Sequence, residues 1–273
     1  MKSTVLIIGY VFPEPNSSAA GTRMLQLIDF FINQNYTVVF ATSCKKSTNA
    51  FDLESLNVQV VEILLNHSSF DFFVKDLNPE VVLFDRFMTE EQFGWRITEN
   101  CPDALRILDT EDLHFLRKTR QQSISSSSGS ANDFDLNDIA KREIASIYRS
   151  DLSLIISEAE LKILIDKFKI DCSLLLYLPF MLDLNENPEQ KQHSSFSERT
   201  DFVSIGNFLH PPNSDVIFYL KNDIWPLIKS QLPQANLHVY GAYDTQAIRS
   251  MHNKKDGFLL HGYVEDAFEV VNS

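Results

Sequence analysis

With 273 residues, 44% of them apolar and 11% aromatic, the chain can fill one large core or two smaller ones. A formal net charge of -13 disfavours electrostatic attraction to nucleic acid or to an anionic membrane surface, leaving only a local basic pocket to hold a phosphate. Cys44, Cys101 and Cys172 are far apart and lack any C-x-x-C spacing, so neither a disulfide framework nor a zinc site is expected, and a cytoplasmic setting fits.

The opening MKSTVLIIGYVF has an apolar run too short to span a bilayer and no small-residue cleavage site after it, so it reads as a first β-strand and predicts no transmembrane segment. TVLIIG, TVVFAT, VQVVEI, EVVLFD, ALRILD, LSLIIS and SLLLYL follow one another as strands apolar on both faces, the pattern of a parallel sheet. Between the first two, Met24, Leu27, Ile28, Phe31 and Ile32 recur at helical spacing and complete a βαβ unit. Thr89 with Gln92, and Ser157 with Glu160, have the spacing of capping boxes; the second opens a helix whose Leu161, Leu164, Ile165 and Phe168 share a face. The series predicts a doubly wound α/β domain over residues 1–180.

Residues 121–135 are Ser-rich and read as a surface loop outside any core; the Asp133-Phe134-Asp135 within it is read as solvated, not as a metal-nucleotide site. Residues 181–200 have linker composition. The pattern then restarts over 201–273, with strands at DFVSIG, NLHVYG and GFLLHG, a helical stretch through Val216, Ile217 and Leu220, and a break near Pro226. A domain with so few strands leaves a sheet edge and an apolar face uncovered, from which the second domain is expected to be truncated.

The first strand of each domain runs into a similar turn, IGYVFPEPNS at residues 8–17 and IGNFLHPPNS at residues 205–214. Gly9, Gly206, Gly241 and Gly262 each follow a strand-like run, the place where helix N-termini in open α/β sheets meet anions. No G-x-G-x-x-G follows the first strand and no P-loop, G-x-S-x-G or H-E-x-x-H occurs, which argues against a typical NAD site, a P-loop NTPase, an α/β-hydrolase elbow and a zincin.

PEPNSSAAGTRM, LDTEDLHFLR, RSDLSLIISEAELKIL and SIGNFLHPPNSDVIFYL, with LHVYGA and FLLHGYVED, together resemble the GT-B nucleotide-sugar glycosyltransferases, in particular the retaining family 4-like group of polysaccharide and cell-envelope pathways. The resemblance implies two Rossmann-like domains facing a cleft, the first binding a glycan or lipid-linked acceptor and the second a nucleotide-sugar donor. It implies no cofactor and no metal, and leaves peripheral membrane contact open. Two departures stand out: Ala19-Ala20-Gly21 offers one glycine where the family often has a pair, and Glu111-Asp112 with His114 stands where many relatives read His-Asp. The family's basic phosphate clamp and sugar-gripping carboxylate fall beyond residue 273.

On this reading Asp112 and His114 are the catalytic candidates, Gly21, Arg23 and Asp109 the acceptor side, and Gly206, Asn207, His210, Asn213 and Gly241 the donor side. The plainer alternative has Asp109 capping a helix, Arg117 pairing on the surface, and the second turn's polar residues only capping. Two other functions remain beside glycosyl transfer: a sugar-nucleotide epimerase of the same fold, or a non-catalytic binding remnant. His238 and His261 read as packing or surface residues, and the Ser157/Glu160 pair as a helix cap.

Overall fold

The computed structural model describes residues 3–125, 137–181 and 195–272. The expected Asp133/Asp135 pair and residues 182–194 of the expected linker lie outside the described residues. The chain divides into two compact units, residues 1–13 with 23–182, and residues 14–22 with 183–273.

In the first unit β1 (Thr4–Gly9), β2 (Thr37–Thr42), β3 (Gln59–Glu62), β4 (Val81–Asp85), β5 (Leu105–Asp109), β6 (Leu152–Ile155) and β7 (Leu175–Tyr177) form one parallel sheet in the order β3-β2-β1-β4-β5-β6-β7. The order reverses between β1 and β4, the switch point of a doubly wound sheet. Alternation along β1 explains why its residues are apolar throughout. Val5 and Ile7 pack with Met24, Leu27 and Ile28 of α1 (Ala19–Asn33). Leu6 and Ile8 face the opposite core, built by α2 (Ser69–Leu77), α3 (Arg86–Asn100), α4 (His114–Ser125), α5 (Asp138–Arg149) and α6 (Glu158–Asp166).

Ser157 caps α6 as expected, its hydroxyl accepting from the Glu160 amide. Thr89 does not cap α3. The helix begins at Arg86, and the Thr89 hydroxyl instead donates back to the carbonyls of Asp85 and Arg86, each at 3.0 Å.

The second unit has a parallel sheet in the order β10-β9-β8, from β8 (Phe202–Ile205), β9 (Leu237–Tyr240) and β10 (Phe258–Gly262). Phe208, Ile217, Trp225, Leu237, Val239, Ile248 and Phe258 fill its core. Pro226 does not break the helical stretch. A π-turn at Leu220–Ile224 joins α7 (Pro211–Tyr219) to α8 (Trp225–Gln231), with Trp225 N–H donating to the Leu220 carbonyl and the proline in the first turn of α8. Widening the helix there accommodates a residue that lacks an N–H and crowds the preceding turn. Two short helices, α9 (Gln246–Arg249) and α10 (Ala267–Asn272), complete the unit. Among the described residues no helix is long and apolar enough to cross a membrane.

Candidate functional site at the carboxyl ends of the first sheet

The turn after β5 is built from charge, most of it out of solvent. Asp109, paired in register with Asp85 on β4, is wholly buried, as is Arg23 of α1. The Arg23 Nε and one terminal nitrogen donate to the Asp109 carboxylate at 3.0 and 2.8 Å, and the other terminal nitrogen donates to the Leu178 carbonyl at 2.9 Å. Both were expected on the acceptor side. The structure corrects this: neither has surface from which to touch a ligand, and each neutralises the other inside the fold. Gly21 also has a packing reason, since a Cβ there would lie 2.4 Å from the backbone of Glu14.

Asp112 and His114 come together on the partly exposed rim. His114 Nε2 lies 3.4 Å from Asp112 Oδ1, and Arg117 reaches Asp112 Oδ2 at 3.1 Å and His114 Nδ1 at 3.2 Å. Arginine can only donate, so Nδ1 accepts and the neutral ring carries its proton on Nε2, toward Asp112. The ring stands edge-on to Phe87 at 5.5 Å. The Arg117–Asp112 pair of the plainer sequence reading is therefore present, and it includes the histidine.

Two carboxyls from distant helices, one buried and one half-buried, hold this turn in place. Glu143 of α5 accepts from the amides of His114 and Phe115 at 3.1 and 3.0 Å, and Glu160 of α6 accepts from Leu113 at 3.1 Å. They do for α4 what Asp109 was expected to do, receiving N–H groups of its first turn. Burial pushes Glu143 up to about 8 against the pull of those two amides.

Sequence reasoning missed Asp85 and Arg86 beside them and gave Glu111 no binding role. Asp85 ends β4, Arg86 opens α3, and Glu111 follows β5; Arg86 and Glu111 both sit in the left-handed region, at φ 71° and 64°. Asp85 Oδ2 accepts from the Tyr10 amide at 2.9 Å, while Asp85 Oδ1 and Glu111 Oε1 are buried without a hydrogen bond. Burial, then the charge of Asp85, raises Glu111 to about 8. Burial works against the charge on Arg86, but Asp85, Glu111 and Asp112 together hold its pKa above the ordinary arginine value. The signal was available, since FDRF after β4 has the same strand-then-charge form as LDTED after β5.

In the second unit the expected donor residues hold a turn. Asn207 Oδ1 accepts from the Leu209 amide at 2.9 Å, Asn213 donates to the Asn207 carbonyl at 2.9 Å, and His210 is the residue before α7. A Cβ at Gly206 would lie 3.2 Å from the Asn213 side chain, and one at Gly241 would lie 2.0 Å from the Gly206 carbonyl oxygen. His238 Nδ1 is 3.0 Å from His261 Nε2 and its Nε2 is 3.0 Å from Asp201, with Tyr240 stacked on His261. Among the described residues no group of three His, Cys, Asp or Glu side chains is placed to hold a metal ion.

No family model and no curated protein matches the sequence. Solved structures do match. Sucrose-phosphate synthase from Thermosynechococcus elongatus aligns with a TM-score of 0.66 at 11% identity, over 97% of this chain and 71% of that one. The lipopolysaccharide outer core galactosyltransferase WaaB aligns at 0.57 and 11% identity, over 98% and 70%. S. aureus MnaA, solved with UDP, aligns at 0.54 and 8% identity, over 97% and 70%. The chain has the GT-B fold. The charged strand ends of the seven-stranded unit lie where ligands of doubly wound sheets bind.

Proposed function

We propose that the protein is a glycosyltransferase that moves a sugar from a nucleotide-sugar donor to an acceptor hydroxyl, in polysaccharide or cell-envelope glycan synthesis. The observation that carries this reading is the GT-B likeness over nearly the whole chain, supported by one neighbour whose name is galactosyltransferase and another solved with UDP.

In this reading the first unit binds the acceptor. His114, its Nε2–H facing Asp112 at 3.4 Å, receives the proton of the attacking hydroxyl at Nδ1 once the acceptor displaces Arg117 from that nitrogen, and the imidazolium formed is stabilised by the Asp112 carboxylate. The second unit binds the donor at the turn of Gly206, Asn207, His210, Asn213 and Gly241. α7 opens with Pro211 and Pro212, which carry no N–H, so the contacts to phosphate oxygens as the diphosphate leaves come from side chains of this turn, Asn207 and His210. No step uses a metal or a cofactor. A cytoplasmic location matches the chemistry, because nucleotide-sugars are the donors.

The test is nucleotide release from UDP-, GDP- and dTDP-sugars in the presence of mixed saccharide acceptors, using residues 1–273 and a longer polypeptide carrying them. Release that requires an acceptor, and is stronger in the longer polypeptide, is the expected result. A nucleotide-sugar changed in configuration without release would establish the epimerase instead, and no binding of any of the three nucleotides would sink both.

A further inference from the structure

The switch point between β1 and β4 holds a group of side chains that the scheme above leaves unused. The Arg86 side chain is partly exposed, and among the described residues its guanidinium makes no hydrogen bond; its ionic neighbour is Asp85, with Nε 3.6 Å from Oδ1. That Oδ1 belongs to a side chain only 5% exposed and has no donor of its own. The carboxyl of Glu111, on the neighbouring strand end, likewise has a buried oxygen with no donor. The guanidinium lies over the Tyr10 ring, 5.2 Å from its centroid, and that tyrosine is 44% exposed. Arg86 and Glu111 are both held in left-handed backbone, a strained conformation for non-glycine residues that gathers at ligand sites.

We propose that Arg86, seated on Asp85 and Glu111 beside the Tyr10 ring, recognises the acceptor, and that it selects a neutral saccharide over a phosphorylated or carboxylated one. Guanidinium N–H groups that make no hydrogen bond among the described residues call for oxygen acceptors. An anion would be the usual ligand, but here it would meet the Asp85 carboxylate, which already faces the guanidinium at 3.6 Å and offsets its charge. A pair of sugar hydroxyls meets the site without that repulsion, since each accepts from the partly exposed guanidinium and brings no charge toward Asp85. The exposed aromatic ring offers a wall for the apolar C–H face of a pyranose. The word acceptor rests on the glycosyl-transfer reading; the preference for a neutral sugar does not.

Saturation-transfer NMR on the whole 273-residue chain, without donor, tests this. The probes are the methyl glycosides of glucose, galactose and N-acetylglucosamine, set against glucuronic acid and glucose 6-phosphate. At least one neutral glycoside is expected to bind, with affinity at least tenfold weaker in Arg86→Ala and unchanged in Lys141→Ala, which alters an exposed pair on α5. Should Arg86→Ala not fold, Arg86→Gln, similar in reach and uncharged, is expected to show the same loss at a wild-type melting temperature. Charge on Glu111 is set by Asp85, Arg86, Asp109 and Arg23 around it, so wild-type affinity should change between pH 7 and 9, and Glu111→Gln should remove that change. Tighter binding of the anionic sugars, no binding of any neutral glycoside, or wild-type affinity in the folded Arg86 variants would overturn the proposal. A parallel UDP titration separates the two readings. UDP binding without glycoside binding defeats this inference alone, and glycoside binding without nucleotide turnover leaves the saccharide site standing while defeating the transferase.

Discussion

After β1 the chain runs from Gly9 through residues 10–18 before α1 begins at Ala19; after β8 it runs from Gly206 only through Asn207 to His210 before Pro211 opens α7. The two stretches share Ile, Gly, Pro, Asn and Ser in register, yet Asn16 and Ser17 precede their helix while Asn213 and Ser214 are inside theirs. Past the glycine, similar letters make different turns. The strand ends differ in kind as well. Among the described residues every buried charged side chain, Arg23, Asp85, Glu90, Arg96, Asp109 and Glu143, belongs to the first unit. A seven-stranded sheet covered on both faces desolvates whatever stands at its strand ends, so charges there must be paired or neutral. The second unit closes its strand ends with glycine, asparagine and backbone amides.

The sharpest break of this contrast is Arg23→Ala. It leaves Asp109 buried and unpaired and removes a donor from the Leu178 carbonyl, for an expected loss of about 3–5 kcal/mol in urea denaturation. Replacing both members with apolar residues, Arg23→Met with Asp109→Leu, should recover much of that. A loss below about 1 kcal/mol for Arg23→Ala would mean that the pair is not desolvated as the fold implies.

The corresponding weak point of the second unit is steric. Gly241→Ala would push a Cβ to 2.0 Å from the Gly206 carbonyl oxygen and 2.5 Å from the Phe208 ring. Overpacking of this kind costs about 1–3 kcal/mol. Hydrogen exchange should accelerate at β8 and β9 while β1 and β4 keep their protection; equal protection in both units would show that the turn relaxes freely.

The ten strands of the described residues were legible because each is a short, largely apolar run, most of them ending at a glycine or an acidic residue, and the first unit's parallel sheet followed from its strands being apolar on both faces. Arg23 was visible as a charge near the first loop, but its partner lies 86 residues away on β5, and no local spacing announces a pair that tertiary packing creates. Glu143 was invisible for the same reason: within DIAKREIASIYR it looks like any helical glutamate. Pro226 misled because a proline inside a helical pattern signals a stop, and the π-turn that absorbs it leaves no mark in composition.

Glu143 and Glu111 give the first unit a pH dependence that, among the described residues, the second has no buried carboxyl to match. Each carboxyl moves from 4.5 to about 8 on folding. A carboxyl held tighter to its proton when folded stabilises fully below its unfolded value, and that contribution is lost as the pH rises toward 8. The melting temperature of the wild type should therefore fall between pH 5 and pH 8. Glu143→Gln, which keeps one acceptor oxygen for the His114 or the Phe115 amide, should flatten the fall, and adding Glu111→Gln should flatten it further. A variant profile parallel to wild type would place these carboxyls in contact with water.

The smallest effect on stability is expected where the largest effect on function is proposed. Asp112 is one-third exposed, and its ion pair with Arg117 is worth about 0–1 kcal/mol, so Asp112→Ala should melt close to wild type. If the carboxylate steadies a protonated His114 during transfer, losing it removes a charge-assisted contact made in the transition state, and turnover should fall about tenfold to a hundredfold. His114→Ala should match it in turnover, with a further small loss of stability from the edge contact to Phe87. The double variant decides whether they act as one unit: a common mechanism predicts a combined loss near that of either single change, whereas independent contributions multiply. Donor affinity should be unchanged in all three, because the proposed donor turn belongs to the second unit. Wild-type turnover in both single variants would return the Asp112, His114 and Arg117 cluster to an ordinary surface network.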